Sequence, residues 1–168
     1  NDIKVCLNTL GDDESRANYR SALKEYFAPY VDELCGDCKR RYEQNPLRIL
    51  DCKVDHDHEC MKNAPKMSDY LNEASQEYFN TVCELLDKLE IPYEVDDKLV
   101  RGLDYYTHTV FEIVSMNSEM GAQSTVLAGG RYDGLISYFG GPEGMSGIGW
   151  ALGMERLLIA LEAEGIEL

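Results

Sequence analysis

Two linked stretches decide the fold: Ala128-Gly129-Gly130-Arg131-Tyr132-Asp133-Gly134-Leu135, running on through SGIGWALGMERLLIAL to Leu161, and Leu99 to Glu112, LVRGLDYYTHTVFE. Residues 96–168 hold eleven acids but only four bases, Lys98, Arg101, Arg131 and Arg156. The three arginines sit beside glycines, tyrosines or a solidly apolar run. A guanidinium in such a setting needs a fixed anion, because burying an unpaired charge is costly. Its planar fork suits carboxylate and phosphate. The expectation is an anion-binding cleft built from strand ends and one buried helix.

Within these stretches the pattern after Arg101 is that of strands. Thr107 to Ser115 is β-branched and aromatic, Ser124 to Ala128 is a second run, and Met116 to Gln123 is then a hairpin connection. Gly129 and Gly130 allow backbone to approach a ligand closely. Asp133 to Phe139 reads as a short helix ended by Gly140-Gly141-Pro142, and Ser146 to Trp150 as a compact strand. The spacing predicts a helix over Ala151 to Ala163, apolar nearly all round and therefore buried. Arg156 on it would lean back toward the helix start, where free amides and the dipole favour an anion. The competing reading, a surface pair with Glu155, is weaker, since adjacent helical positions do not face each other. Tyr105 and Tyr106 point to opposite faces, so one packs in the core while the other lines the cleft. For these two and Tyr132, core packing and ligand recognition weigh about equally.

Outward toward the start of the chain, Asn72 caps an amphipathic helix to Glu90, with Tyr78, Val82, Leu85 and Leu89 on one face. Pro92 closes it and Tyr93 to Val95 begins a short strand. Residues 53–70 are loop-like. Lys39, Arg40, Arg41 and Arg48 form the one basic cluster, either an ordinary solvated helix end or a small phosphate-contacting patch. Asp2 to Leu10 alternates like a strand and Gly11 ends it. Asp12 or Asp13 caps a helix with Leu23, Phe27 and Leu34 along one face and a boundary or kink at Pro29.

At 168 residues, 44% of them hydrophobic, the chain suits one domain or a small domain with part of another. A net charge of −15 argues by itself against nucleic acid as a partner. No apolar run reaches membrane-spanning length and no basic-then-apolar leader precedes the first strand, so no membrane association and a cytosolic location are expected. Asn1 is not an initiator residue, which suggests a processed or engineered boundary. Six cysteines raise a metal or disulfide reading. Cys35-Gly36-Asp37-Cys38 is a plausible zinc knuckle, followed by Cys52, His56, His58 and Cys60. The second half is not a regular zinc spacing and lies in an acidic stretch that reads equally well as a solvated loop. Free thiols are therefore preferred over zinc at Cys35 and Cys38.

The same residues resemble a known family. Arg101-Gly102-Leu103-Asp104-Tyr105-Tyr106-Thr107 with Val110-Phe111-Glu112 looks like the histidine-binding signature of histidyl-tRNA synthetases. Ala128 to Leu135 resembles that family's second signature, and Gly147 to Leu158, with Gly-Met-Glu-Arg-Leu, resembles the third motif of class II synthetases. Cys38 to Arg41 and Asn45 to Asp51 are similar to the bacterial enzymes' inserted helical domain. The likeness covers essentially the whole chain.

What the resemblance implies is histidine activation by ATP to histidyl-adenylate, then transfer to the histidine tRNA by a cytoplasmic homodimer. It implies an α+β fold: part of a class II antiparallel sheet with flanking helices, plus an inserted, mostly helical domain. On that basis residues 1–10 are a catalytic-domain strand, 11–92 the insertion, and 93–168 the catalytic portion with the signatures. Arg101 would be catalytic, on the histidine carboxylate and α-phosphate. Tyr105, Tyr106 and Tyr132 would line the histidine pocket. Arg156 would hold the ATP γ-phosphate, with Gly153, Gly129 and Gly130 on the ATP side. ATP enters with Mg2+, for which Glu112 is a possible ligand. Lys39, Arg40, Arg41 and Arg48 are candidates for tRNA contact. The family's first and second motifs and its anticodon-binding domain have no counterpart here, so an incomplete catalytic domain, inactive alone, is expected. Two competing readings are a non-catalytic regulatory or sensor relative, which generally loses the RGLDYY and GGRYDG residues kept here, and a zinc-stabilised interaction module over residues 35–60.

Overall fold

The computed structural model describes residues 3–100, 105–117, 120 and 124–166. Strand β1 (Ile3–Thr9) leads through Gly11, at φ 61°, into helix α1 (Asp13–Phe27). Pro29 ends α1 as expected and starts a 3-10 turn, Ala28–Glu33. Helix α2 (Gly36–Gln44), a 3-10 turn at Pro46–Ile49, the single-turn α3 (Glu59–Lys62) and another 3-10 turn at Met67–Tyr70 follow. Helix α4 (Glu73–Lys88) then returns the chain to the sheet. The remaining elements are β2 (Tyr93–Val95), β3 (Thr107–Ser115), β4 (Thr125–Arg131), the short α5 (Leu135–Tyr138), β5 (Ile148–Leu152) and α6 (Met154–Ala163). The fold is α+β.

The sheet has five strands in the order β2-β1-β3-β4-β5. β1 and β2 are parallel, because the whole helical segment lies between them, and the other pairs are antiparallel. β3 and β4 pair as a hairpin requires, although Ser118, Glu119 and Gly121 to Gln123 of the expected connection lie outside the described residues.

Two hydrophobic clusters organise the packing. One joins Tyr19, Leu23, Phe27, Leu34, Cys38, Ile49, Cys60 and Met67 among the helices. The other sits on the sheet, with Cys6, Leu10, Leu99, Val100, Tyr106 and Val110. Residues 53–70 are not simply a loop: α3 buries Cys60 and Met61, and Cys52 just before it is buried too.

Helices α1 and α4 are pinned together at their starts. Asp12 accepts from the amide of Ser15 at 2.8 Å, and Asn72 from that of Ser75 at 2.9 Å. The Asn72 amide nitrogen donates to Asp12 at 2.7 Å. Each serine hydroxyl accepts the backbone amide of the other helix's cap: Ser75 from Asp12 at 3.2 Å, Ser15 from Asn72 at 3.0 Å. Both serines are fully buried.

Three expectations need correction. The last helix starts at Met154, not Ala151, because Ala151 and Leu152 pair with Ala128 and Leu127 across the sheet. That helix is not buried either: none of its residues is, and Met154, Leu158 and Ile159 are exposed, as are Ile148 and Trp150 on the edge strand beside it. On α4 the buried residues are Ser75 and Phe79, while Val82 is only half-buried and Leu85 and Leu89 stand in solvent.

Candidate functional site

One face of the sheet carries the site. Register places Cys6, Glu112, Ala128 and Ala151 side by side across β1, β3, β4 and β5, so they share a face. The cysteine and two alanines leave room around the Glu112 carboxylate, and a cleft of about 510 Å³ opens there. Arg156 reaches its rim. Its aliphatic stem folds back over Gly153, where an added Cβ would sit 3.3 Å from its Cδ, and its Nη1 donates to the Thr125 carbonyl at 2.9 Å. The Thr125 hydroxyl donates to Glu112 at 2.8 Å. A guanidinium at a helix start and a carboxylate thus face one cleft, joined through a threonine that nothing in the sequence marked out. The expected backward lean of Arg156 is present.

Two residues along the same face, Val110 of β3 pairs with Gly130, and Gly130 with Gly149. Tyrosines cover these glycines. An added Cβ on Gly130 would sit 2.8 Å from the Tyr106 ring, one on Gly149 2.7 Å from the Tyr132 hydroxyl, and one on Gly147 would overlap the Tyr132 ring. Tyr105, Tyr106 and Tyr132 form a triangle with ring centroids 5.1, 6.0 and 6.5 Å apart. Of the adjacent pair, Tyr106 is buried in the sheet core and Tyr105 is exposed, although both precede β3 and neither lies in a strand. Gly129 is needed for another reason than ligand approach: its Cβ would meet the β-carbon of Trp150 at 2.7 Å and the Phe111 ring at 2.8 Å.

Arg131 does not face this cleft. Its Nε donates to both Asp133 oxygens, at 2.8 and 2.9 Å, its Nη1 donates to the Tyr78 hydroxyl at 2.6 Å, and the guanidinium lies 5.0 Å from the Tyr78 ring centroid. The Asp133 hydrogen bonds raise its pKa above the ordinary value. The fixed anion that Arg131 requires is Asp133, so this arginine meets its need within the chain and not at the cleft. Arg101, with Gly102 to Asp104, lies outside the described residues. Beside Arg131, His108 at φ 50° sits in a β-bulge, its ring 4.8 Å from that of Tyr78. Burial, and then the Arg131 charge, hold its pKa below the usual histidine value. No sequence signal singled it out.

The basic cluster lies on α2 and the turn after it. Lys39 donates to the Asp32 carbonyl at 3.0 Å, Arg40 pairs with Asp37 at 2.8 Å, and Arg41 donates to the Arg48 carbonyl at 2.9 Å. Lys39, Arg40 and Arg48 are exposed.

Three of the cysteines gather around an aspartate that the sequence did not mark out. Cys35, Cys38 and Cys52 converge with Asp55, their ligand-type atoms all within 4.8 Å of one another. His56 and His58 do not join them: His56 Nδ1 lies 2.9 Å from the Lys53 carbonyl, and His58 Nδ1 lies 3.0 Å from the Cys60 sulfur.

A sequence profile of the family described as histidyl-tRNA synthetase matches residues 3–157. The chain is 57% identical over 166 residues to a histidine–tRNA ligase of Bacillus cytotoxicus, and 54% identical over 167 residues to one of Lysinibacillus sphaericus. Each match covers 99% of this chain but 39% of the relative, so the chain spans about two-fifths of their length. The crystal structure of apo S. aureus histidyl-tRNA synthetase superposes with a TM-score of 0.74 at 44% identity, over 99% of this chain and 40% of that one.

Proposed function

The chain belongs to the histidyl-tRNA synthetase family, and from that premise we propose that it forms the histidine- and ATP-handling part of a class II histidine–tRNA ligase. The reaction is attack of the histidine carboxylate on the α-phosphorus of ATP, releasing pyrophosphate, followed by transfer of the histidyl group to its tRNA. One observation carries the reading: Arg156 with Glu112, and the tyrosine triangle, occupy neighbouring positions on a single sheet face. The arginine end suits a triphosphate and the aromatic end suits a small polar ring, and a carboxylate-on-phosphorus attack mainly needs such positioning and fixed positive charge.

In this reading Arg156 holds the γ-phosphate, and Gly153 keeps the helix start open to it. Tyr105, Tyr106 and Tyr132 line the histidine pocket. Arg101 lies on the carboxylate and α-phosphate. Glu112 supplies hard oxygen donors of the kind that suit the Mg2+ entering with ATP. Residues 11–92 are an inserted helical unit between catalytic portions 1–10 and 93–168, and Lys39, Arg40, Arg41 and Arg48 touch the tRNA. The working enzyme is a cytoplasmic homodimer. Among the described residues no helix is long and apolar enough to cross a membrane.

The test is histidine-dependent ATP–pyrophosphate exchange. The chain alone, with its cleft open and α6 uncovered, is expected to show none. The same sequence placed in the full-length B. cytotoxicus relative, in exchange for the matching region, is expected to be active. There Arg101→Ala should slow adenylate formation by about 10²–10³-fold while changing histidine affinity little. An inactive but folded chimera, or equal losses in both quantities, would overturn the reading.

A further inference from the structure

The helical segment holds a second constellation, apart from the sheet cleft. We propose that Cys35, Cys38, Cys52 and Asp55 form a structural zinc site. Their four ligand atoms lie within 4.8 Å of one another. In a tetrahedral site with Zn–S of about 2.3 Å, neighbouring sulfurs stand about 3.8 Å apart, and a sulfur and a carboxylate oxygen about 3.5 Å. Here Cys35 and Cys52 sulfurs are 3.8 Å apart, and Cys52 sulfur to Asp55 Oδ2 is 3.6 Å. These are the edges of a zinc tetrahedron.

The surroundings fit as well. The ligands come as two pairs three residues apart, CGDC and CKVD, and each pair closes a turn of the same kind. The Cys38 amide donates to the Cys35 sulfur at 3.4 Å, and the Asp55 amide to the Cys52 sulfur at 3.4 Å. Amide donation of this kind steadies thiolates around a cation. The Cys35 amide in turn donates to the Asp55 carboxylate, at 3.1 and 3.3 Å. Asp55 is nearly buried and makes no ion pair among the described residues. A buried carboxylate among sulfurs, with no protein cation beside it, is an arrangement a divalent metal completes. Cys52 also lines an open cleft with Lys53 and His56, which gives the ion a way in.

The site is structural because all four positions are protein ligands and Cys38 is fully buried in the helical core. It would tie α2 to the turn at 52–55, a short stretch in which few apolar side chains do that work.

The measurement is metal content of the chain purified under reducing conditions without chelator, with Co2+ substitution as the spectroscopic readout. The expected result is about one zinc per chain, and a Co2+ form with thiolate charge-transfer bands and tetrahedral visible bands. Cys35, Cys38 and Cys52 should resist alkylation until a strong chelator is added. Cys52→Ser should abolish binding, and Cys83→Ser, on α4, should leave it unchanged. If Cys52→Ser does not fold, the stoichiometry and the alkylation protection of the unaltered chain still decide. A reduced chain that takes up neither metal with thiolate bands, or one whose non-reduced mass is two hydrogens lower because Cys35 and Cys52 are joined, overturns the proposal.

Discussion

Arg156 sits in the first turn of α6 yet donates a hydrogen bond to β4, 31 residues earlier in the chain. That reach, with Glu112 opposite it, ties the strand-to-helix turn to the cleft. In the full-length chimera, Arg156→Ala is expected to raise the ATP KM while leaving that for histidine nearly unchanged, and Arg156→Lys should not restore it, because lysine lacks the planar fork. Exchange kinetics at varied ATP, with thermal unfolding of each variant, check this. A large fall in melting temperature with unaltered ATP dependence would mean the arginine only props the sheet. The residue was legible because it is the lone base on an apolar run. Arg131 was not, since one partner, Asp133, is two residues away while the other, Tyr78, is 53 away. Thr125 and Asp55 were missed because an isolated threonine or aspartate carries no pattern until the fold supplies its neighbours.

Among the elements, the joint between α1 and α4 shows how far local reading extends. Asp12 and Asn72 were readable as caps from their place before a helical period. The sequences D-x-x-S and N-x-x-S repeat at the two starts, but nothing local says that the serines serve each other's helix. Ser15→Ala or Ser75→Ala removes one acceptor from a half-buried backbone amide, which should cost about 1 kcal/mol. The double variant should lose less than the sum, since both act in one network. Denaturant unfolding of the two singles and the double measures the coupling, and strict additivity would contradict the interlock. The β5–α6 boundary failed for a different reason. An apolar run such as WALGMERLLIAL does not distinguish a buried strand from a helix by period, and pairing with β4 decides that Ala151 and Leu152 belong to the strand.

For the molecule as a whole, the residue pattern made the helical segment between strands legible and the family motifs the α+β class, whereas the strand order was not. A parallel β1–β2 pair on one side of an otherwise antiparallel sheet depends on where 83 intervening residues return the chain (Thr9 to Tyr93), which no local pattern encodes. The uncovered β5–α6 side also has an optical consequence. Trp150, the sole tryptophan, is 66% exposed on it, between Gly129 and open solvent. The isolated chain should therefore emit at the long wavelength of hydrated indole and be quenched readily by iodide or acrylamide. In the full-length chimera the same indole should emit to the blue and resist quenching. Identical spectra in the two forms would show that this side stays wet in the larger protein. One native chromophore thus reports, without a label, whether the sheet face opposite the cleft has been covered.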